Sequence, residues 1–200
     1  MPRPFADEER TLLKQKLHAA ARQRIEQSGV RSMSVADLAR QVGISKGAFY
    51  LLYESKDTLV MEILDEVEYE VRNRLLEVAA DRAGSPSEVM SGVVRTMFEA
   101  VGGHPVLALL ADPEEGPHIF RMVPPEQMAA RMADDDRWFG EVAAGLRSDG
   151  IFADDVADDI LAAIARMALT VSRDPGLVAH PSLIDVLCEA LGDRLAGDGR

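Results

Sequence analysis

The sequence predicts an all-α protein, a three-helix head followed by a helical bundle, and three observations predict it. Ala, Leu, Glu, Arg and Met are plentiful while aromatic residues make up only 5% of the chain, which favours helix over sheet. Apolar residues recur at three- and four-residue spacing along most segments. Ser, Gly and Pro stand at the ends of those segments, where helices start and stop.

The elements follow in order. A first helix is expected from Asp7 or Glu8 to about Gln27, with Leu13, Leu17, Ala20, Ala21 and Ile25 on one face and Gly29 as its stop. Ser34 opens a second helix, with Asp37 three residues on as a weak capping box, and Gly43 ends it. Ser45 caps a short third helix, Lys46 to Tyr53, and Ser55 caps a fourth. That fourth helix runs without Pro or Gly to about Ala80, a length of ~39 Å. The turn Ala83-Gly84-Ser85-Pro86 breaks it, and Ser87 restarts helix to about Val101. Short helices are expected after His104-Pro105 and over Pro117 to Met122. A long one opens at Pro124-Pro125 and reaches about Arg147. Asp154 to Ser172 and Pro181 to Ala196 complete the chain, and no segment reads as strand.

The composition bounds the function. An apolar share of 47% with 28% charged residues fits a folded domain rather than a disordered one. No apolar run is long enough to span a bilayer, the start MPRPFADEER lacks the apolar core of a leader, and the lone cysteine excludes an intrachain disulfide. These features place the protein in the cytoplasm. The net charge of −12 is unevenly spread. Residues 1–60 carry ten Lys/Arg against seven Asp/Glu, a net +3, and residues 61–200 carry twelve against twenty-seven, a net −15. A basic head on an acidic body concentrates attraction for phosphate at one end.

The informative stretch is Ser34 to Leu59, SVADLARQVGISKGAFYLLYESKDTL, in which two helices flank the tight turn Val42-Gly43-Ile44-Ser45. This is the spacing of a helix-turn-helix. Gly43 tolerates the backbone that ends one helix, Ile44 plugs the angle between the two, and Ser45 satisfies the free N–H groups of the next. On a wheel of about 100° per residue, Phe49, Leu52 and Tyr53 fall on one side of the third helix. Lys46, Gly47 and Tyr50 fall on the other, with Leu51 beside them. The first group packs on Leu38, Val42 and the first helix, and the second faces DNA. Small Gly47 and Ala48 let the helix sit deep in the major groove, and Lys46 and Tyr50 donate to phosphate or base edges. Lys56, at the start of the fourth helix, is placed to hold a phosphate. The candidate DNA-binding residues are therefore Ser34, Ser45, Lys46, Gly47, Ala48, Tyr50 and Lys56.

This head resembles the tetracycline-repressor-like (TetR) regulators. The resemblance rests on Ala20-Ala21 to Gly29, Ser34 with Leu38-Ala39, Gly43-Ile44-Ser45-Lys46-Gly47, Phe49-Tyr50-Leu51-Leu52-Tyr53 and Ser55-Lys56-Asp57-Thr58-Leu59. Leu52 stands where the family often has His and Tyr53 where it often has Phe, so Leu52 is left out of the site. The resemblance implies a helix-turn-helix domain over residues 1–54 and a sensing and dimerisation domain over 55–200. It implies a homodimer on a palindromic double-stranded DNA operator, joined through the last two helices as a four-helix bundle, and a repressor released by a small molecule.

For that body the sequence offers Met97, Phe98, Phe120, Met128 and Trp138 as an apolar ligand lining, against the plainer reading that residues at helical spacing are core. Ile160, Ile164 and Met167 on one helix and Leu187 and Leu191 on the next are the expected dimer interface. The effector is expected to be small and partly apolar, with room in the acidic body for a cation. His18, His104, His118 and His180 form no metal spacing, no cofactor motif occurs, and Cys188 reads as an inert buried thiol. No nucleophile elbow or phosphate loop points to an enzyme. The rival reading is a helical adaptor without DNA or small-molecule partners. The small cationic face of Lys46, Gly47 and Tyr50 speaks against it, because only a groove reader gains from such a tip.

Overall fold

The computed structural model describes residues 7–81 and 83–197. Among them are eleven helices and no strand, apart from an isolated bridge between Phe152 and Ala196. The chain divides into two compact units, Met1–Glu68 and Tyr69–Arg200. The reading of the first six residues as too polar for a leader lies outside the described residues.

The first unit begins with α1 (Asp7–Ser28), whose first turn carries Asp7, Glu8 and Glu9 against the positive end of the helix dipole. It buries Leu17, Ala20, Ala21 and Ile25. Gly29, at φ +76°, supplies the left-handed residue that stops it. Helix α2 (Val35–Gln41) packs on α1 and on α3 (Lys46–Leu52). Ser34 holds the extended backbone of an N-cap, but its hydroxyl makes no cap bond, so the expected capping box is absent. Asp37 is too short to reach back and instead pairs with Arg40 at 3.0 Å.

Helix α4 (Lys56–Ala79) runs through the division between the units. Its first half belongs to the first unit, burying Leu59, Val60, Ile63 and Val67. It is tied to α1 by His18–Glu66 at 3.0 Å, Arg22–Glu66 at 3.1 Å and Lys14–Glu62 at 3.8 Å. Those pairs explain why the compact unit ends after Glu68 rather than at the start of the helix.

The second unit is built around α5 (Pro86–Gly103). Its residues Val89, Met90, Val93, Val94, Met97 and Phe98 are all buried, so apolar side chains cover most of its circumference, as a central helix requires. It starts one residue before the expected Ser87. Ser85 caps it, accepting the Glu88 N–H while the Glu88 carboxylate accepts the Ser85 N–H at 2.7 Å. The Ser87 hydroxyl goes to Asp193 instead. The chain bends by 83° at His104 into α6 (Pro105–Ala111), whose first free N–H, from Val106, is accepted by His104 Nδ1. Helix α7 (Glu115–Met122) is followed by α8 (Pro125–Ser148), which Gly150 at φ +72° ends.

Helix α9 (Ile160–Ser172) starts six residues later than the sequence predicts. The backbone groups of residues 151–153 are divided between α8, where the Ile151 and Phe152 N–H groups both reach the Leu146 carbonyl, and residues 195 and 197. Ala153 N–H bonds the Leu195 carbonyl at 2.9 Å and Gly197 N–H bonds the Ile151 carbonyl at 2.7 Å. A short α10 (Pro175–Val178), unforeseen in the sequence, precedes α11 (Pro181–Leu195). Helices α9 and α11 both pack on α5, and α8 packs on α9. No single helix among the described residues is long and apolar enough to cross a membrane. The bent α5–α6 pair passes that test by composition, but α5 spends its apolar residues on the core.

Candidate nucleic-acid interface

The local sequence builds the recognition helix at both ends. Gly43 takes φ +79°, and the Ser45 hydroxyl accepts the Ala48 N–H at 3.1 Å. Phe49 and Leu52 are buried, while Lys46, Gly47, Tyr50 and Leu51 are exposed, Tyr50 by 48% and Leu51 by 43%. Phe49 anchors the helix from within, stacked with Tyr53 at 5.7 Å between ring centroids and edge-on to Tyr50 at 5.3 Å. Seven residues thus carry two distinct faces, an aromatic one turned inward and a cationic, hydroxyl-bearing one turned out.

Two of the expected residues are placed differently. Ala48 is buried at 8% exposure, because it lies four residues before Leu52 and shares its inward face. Its small side chain serves the packing of the head, not the outward surface. Lys56 is half-buried, and its ammonium donates to the carbonyls of Val30 at 3.2 Å and Met33 at 3.5 Å. The cation thereby ties the start of α4 to the loop after α1. Ser34 is half-buried and Ser45 exposed.

Tyr53 has a role that sequence reasoning missed. It is buried, its phenol donates to the carboxylate of Glu62, and Lys14 Nζ lies 4.6 Å from its ring centroid. Burial first, then the Glu62 charge and that hydrogen bond, push its pKa above the ordinary tyrosine range. The end of the recognition helix is thereby locked to α1 and α4. Its signal in the sequence was the departure from the family's usual Phe.

In the second unit Met97, Phe98 and Trp138 belong to one apolar cluster, whereas Phe120 and Met128 lie outside it. Met97 and Phe98 are buried in the core on α5, the helix that packs on α9 and α11. Phe120 is half-buried, with Arg173 at 5.5 Å from its ring, and Met128 is half-buried on α8. Trp138 does border a hollow, of about 410 Å³, with Leu76 and Ala79 from α4, Ala80 just after it, Glu141, Val142, Gly145 and Leu146 along α8, and Asp149 at its C-cap. The Arg72 guanidinium stands 5.0 Å from the Trp138 ring, held by Asp135 at 2.6 Å and Asp134 at 3.4 Å. So the acidic triplet 134–136 braces α4 to α8, and through Asp136–Arg166 braces α8 to α9. A second hollow, about 310 Å³, lies between α4 and α5 beside Val71, Thr96 and His104. The spacing Trp138, Glu141, Val142, Gly145, Asp149 along one helical face was the available signal for the first.

The expected dimer residues also need correction. Ile164 is 3% exposed and belongs to the core, because α9 turns it toward α5. Ile160, Met167, Leu187 and Leu191 are half-buried and packed against the same core. The outward faces carry other residues: Ala163, Arg166 and Thr170 on α9, and Val186, Glu189 and Ala190 on α11, with Val186 59% exposed. Cys188 is buried, and burial pushes its thiol pKa up, as suits an inert core residue.

Residues 17–63 match the profile of the bacterial regulatory proteins of the tetR family. The HTH-type transcriptional regulator EthR of Mycobacterium tuberculosis is 31% identical over 87 residues, which are 43% of this chain and 40% of that protein. The match to that curated relative therefore spans less than half its length. The backbone is shared much further. A TetR-family transcriptional regulator from Pectobacterium atrosepticum superposes with a TM-score of 0.73 at 17% identity, over 98% of this chain and all of that one. RolR, solved in complex with resorcinol, superposes with a TM-score of 0.64 at 14% identity, over 97% of this chain and 92% of its own. The head of the chain, residues 17–63, is thus similar to the helix-turn-helix domain of the tetR family of bacterial regulatory proteins, and the backbone as a whole shares the all-helical fold of these solved structures.

Proposed function

We propose that this chain is a ligand-responsive, sequence-specific DNA-binding regulator, a homodimeric repressor that a small molecule releases from a palindromic operator. The observation that carries the reading is the exposed face of Lys46, Gly47 and Tyr50 on a helix capped by Ser45 and anchored by Phe49. The outward residues suit the major groove: a cation for phosphate, a hydroxyl for a base edge, and a glycine where backbone meets DNA. Lys56 acts here by fixing the start of α4, with any phosphate contact secondary to that tie.

One recognition helix of seven residues buries too little surface for tight specific binding, so two heads on a symmetric dimer are required. The outward faces of α9 and α11 are the proposed joining surface, centred on Val186. The domain assignment follows: a DNA-reading head over residues 1–54, and sensing and dimerisation over 55–200. Helix α4 is the element through which a ligand would act, since it lines the Trp138 hollow with its last turns and its first half packs in the head unit. A ligand that favours one setting of α4 shifts the population of DNA-competent dimers by its differential affinity alone. The fold accommodates such ligands, since RolR holds resorcinol.

The test starts from operators selected out of a random duplex pool. The chain should enrich palindromic half-sites, and small-molecule extracts of its host should release it from them. Enrichment of no sequence would return the chain to the adaptor reading. Enrichment without release by any extract would leave a DNA-binding protein with no small-molecule input.

A further inference from the structure

We infer that Leu51 reads the C5-methyl group of thymine in the major groove, in a seat that Gly47 leaves open one helical turn before it. The inference rests on the DNA-reading role proposed above and names a base for it. Leu51 lies on the outward side of α3 with Gly47 and Tyr50 and is 43% exposed. Nothing in the packing of the head calls for it there, since Phe49 and Leu52 are buried on the inward side of the same helix.

A single exposed leucine is common on any protein surface. This one shares its side of the helix with Lys46 and Tyr50, which donate hydrogen bonds, whereas Leu51 can neither donate nor accept one. The major groove offers an apolar partner at one group, the thymine methyl. The net charge of +3 over residues 1–60 favours a polyanion as the occupant of this face over the apolar surface of another protein.

Gly47 supplies a second, independent observation. Its φ is not positive, the left-handed glycines being Gly29, Gly43 and Gly150, so the backbone does not require glycine at this position. Neither does packing: a Cβ there would meet only the Ser45 hydroxyl oxygen, at 3.8 Å, an ordinary contact. Glycine is a poor helix former, so alanine would serve the head itself better. Leu51 follows four residues later, and a helical side chain leans back over the turn before it. Leucine on one side and bare backbone on the other leave a gap of about one methyl group, the one that alanine at this position would fill.

The experiment uses the full chain and an operator selected from a random duplex pool. Each thymine of a half-site is replaced in turn by deoxyuridine, in both half-sites together. The exchange removes the methyl and leaves every hydrogen-bonding group in place. At one position the wild-type chain should lose about fourfold in affinity per methyl, the effect of exposing one buried methyl. Leu51→Ala should bind the thymine operator more weakly and show no further loss at that position, with the slope of affinity against salt unchanged. Gly47→Ala, which fills the seat, should bind the uracil operator at least as well as the thymine one. Helix content and unfolding temperature show that both variants fold. A wild-type chain indifferent to uracil at every position would overturn the inference while leaving the DNA-reading role standing. So would a uracil penalty of the same size in Leu51→Ala, which would assign the methyl to another side chain. A pool from which no sequence is enriched would overturn the DNA-reading role and this contact with it.

Discussion

Tyr50 and Tyr53 stand three residues apart and do opposite things. Tyr50 is 48% exposed, with its hydroxyl free to reach DNA, whereas Tyr53 is buried with its hydroxyl on Glu62. Tyr50→Phe should therefore leave the fold intact and weaken operator binding by about 1 kcal/mol, one lost hydrogen bond. Lys46→Ala should lower the slope of affinity against salt by about one ion per head. Fluorescence anisotropy on a selected operator at several salt concentrations checks both, and unchanged binding in both variants would remove this face from the DNA site. Tyr53 makes a prediction about pH. Its folded pKa lies above that of the unfolded chain, so its contribution is complete below about 10 and is lost as pH rises beyond that. Wild-type stability should thus fall more steeply than that of Tyr53→Phe above pH about 10, measured as unfolding temperature against pH. Parallel curves would show that the phenol ionises equally well in both states.

At the level of elements, glycines determine how closely helices lie. A Cβ at Gly192 of α11 would stand 2.7 Å from the Ser91 backbone nitrogen and 2.9 Å from its Cα on α5. The backbone of one helix meets that of the other, and no side-chain rotation relieves the clash. Gly192→Ala should push α11 off α5 and cost about 1–3 kcal/mol. Gly145→Ala, on the open face of α8, should cost nothing and gain up to about 1 kcal/mol in helix propensity. Chemical denaturation of the pair decides the matter. A Gly192→Ala protein as stable as wild type would show that the two helices are free to separate.

At the scale of the whole molecule, the proposed homodimer needs a surface that joins two copies. Val186 is 59% exposed on α11, whereas its neighbour Leu187 packs against the core of its own chain. Val186→Glu should give a monomer by light scattering, with an unfolding temperature close to that of the wild-type chain at low concentration and with operator affinity lost. Leu187→Glu should lower the unfolding temperature instead, since it drives a carboxylate into a core that offers no partner. A Val186→Glu protein that remained a dimer would move the interface off the outward face of α11.

The sequence alone determined the features that depend on neighbours along the chain. Ser45 caps the recognition helix, Gly29 and Gly43 adopt the left-handed conformation, and Phe49 and Gly47 take opposite faces because a helix repeats every 3.6 residues. The head was therefore largely legible, apart from Ala48, since one position on a wheel cannot tell an edge from a face, Lys56, whose carbonyl partners lie more than twenty positions back, and the capping box at Ser34, which does not form. The late start of α9 was not legible, because Ile151 and Ala153 bond to residues more than forty positions away. Nor were the fates of Met97, Phe98 and Ile164. Periodicity marks a side chain as apolar-facing, but the same stripe serves a core, a pocket or an interface, and only the packing of α5 against α9 and α11 decided that these three fill the core. The hollow at Trp138 likewise exists only where α4 and α8 meet: the spacing from Trp138 to Asp149 marks one wall, but only the second helix decides that the space beside it is left unfilled.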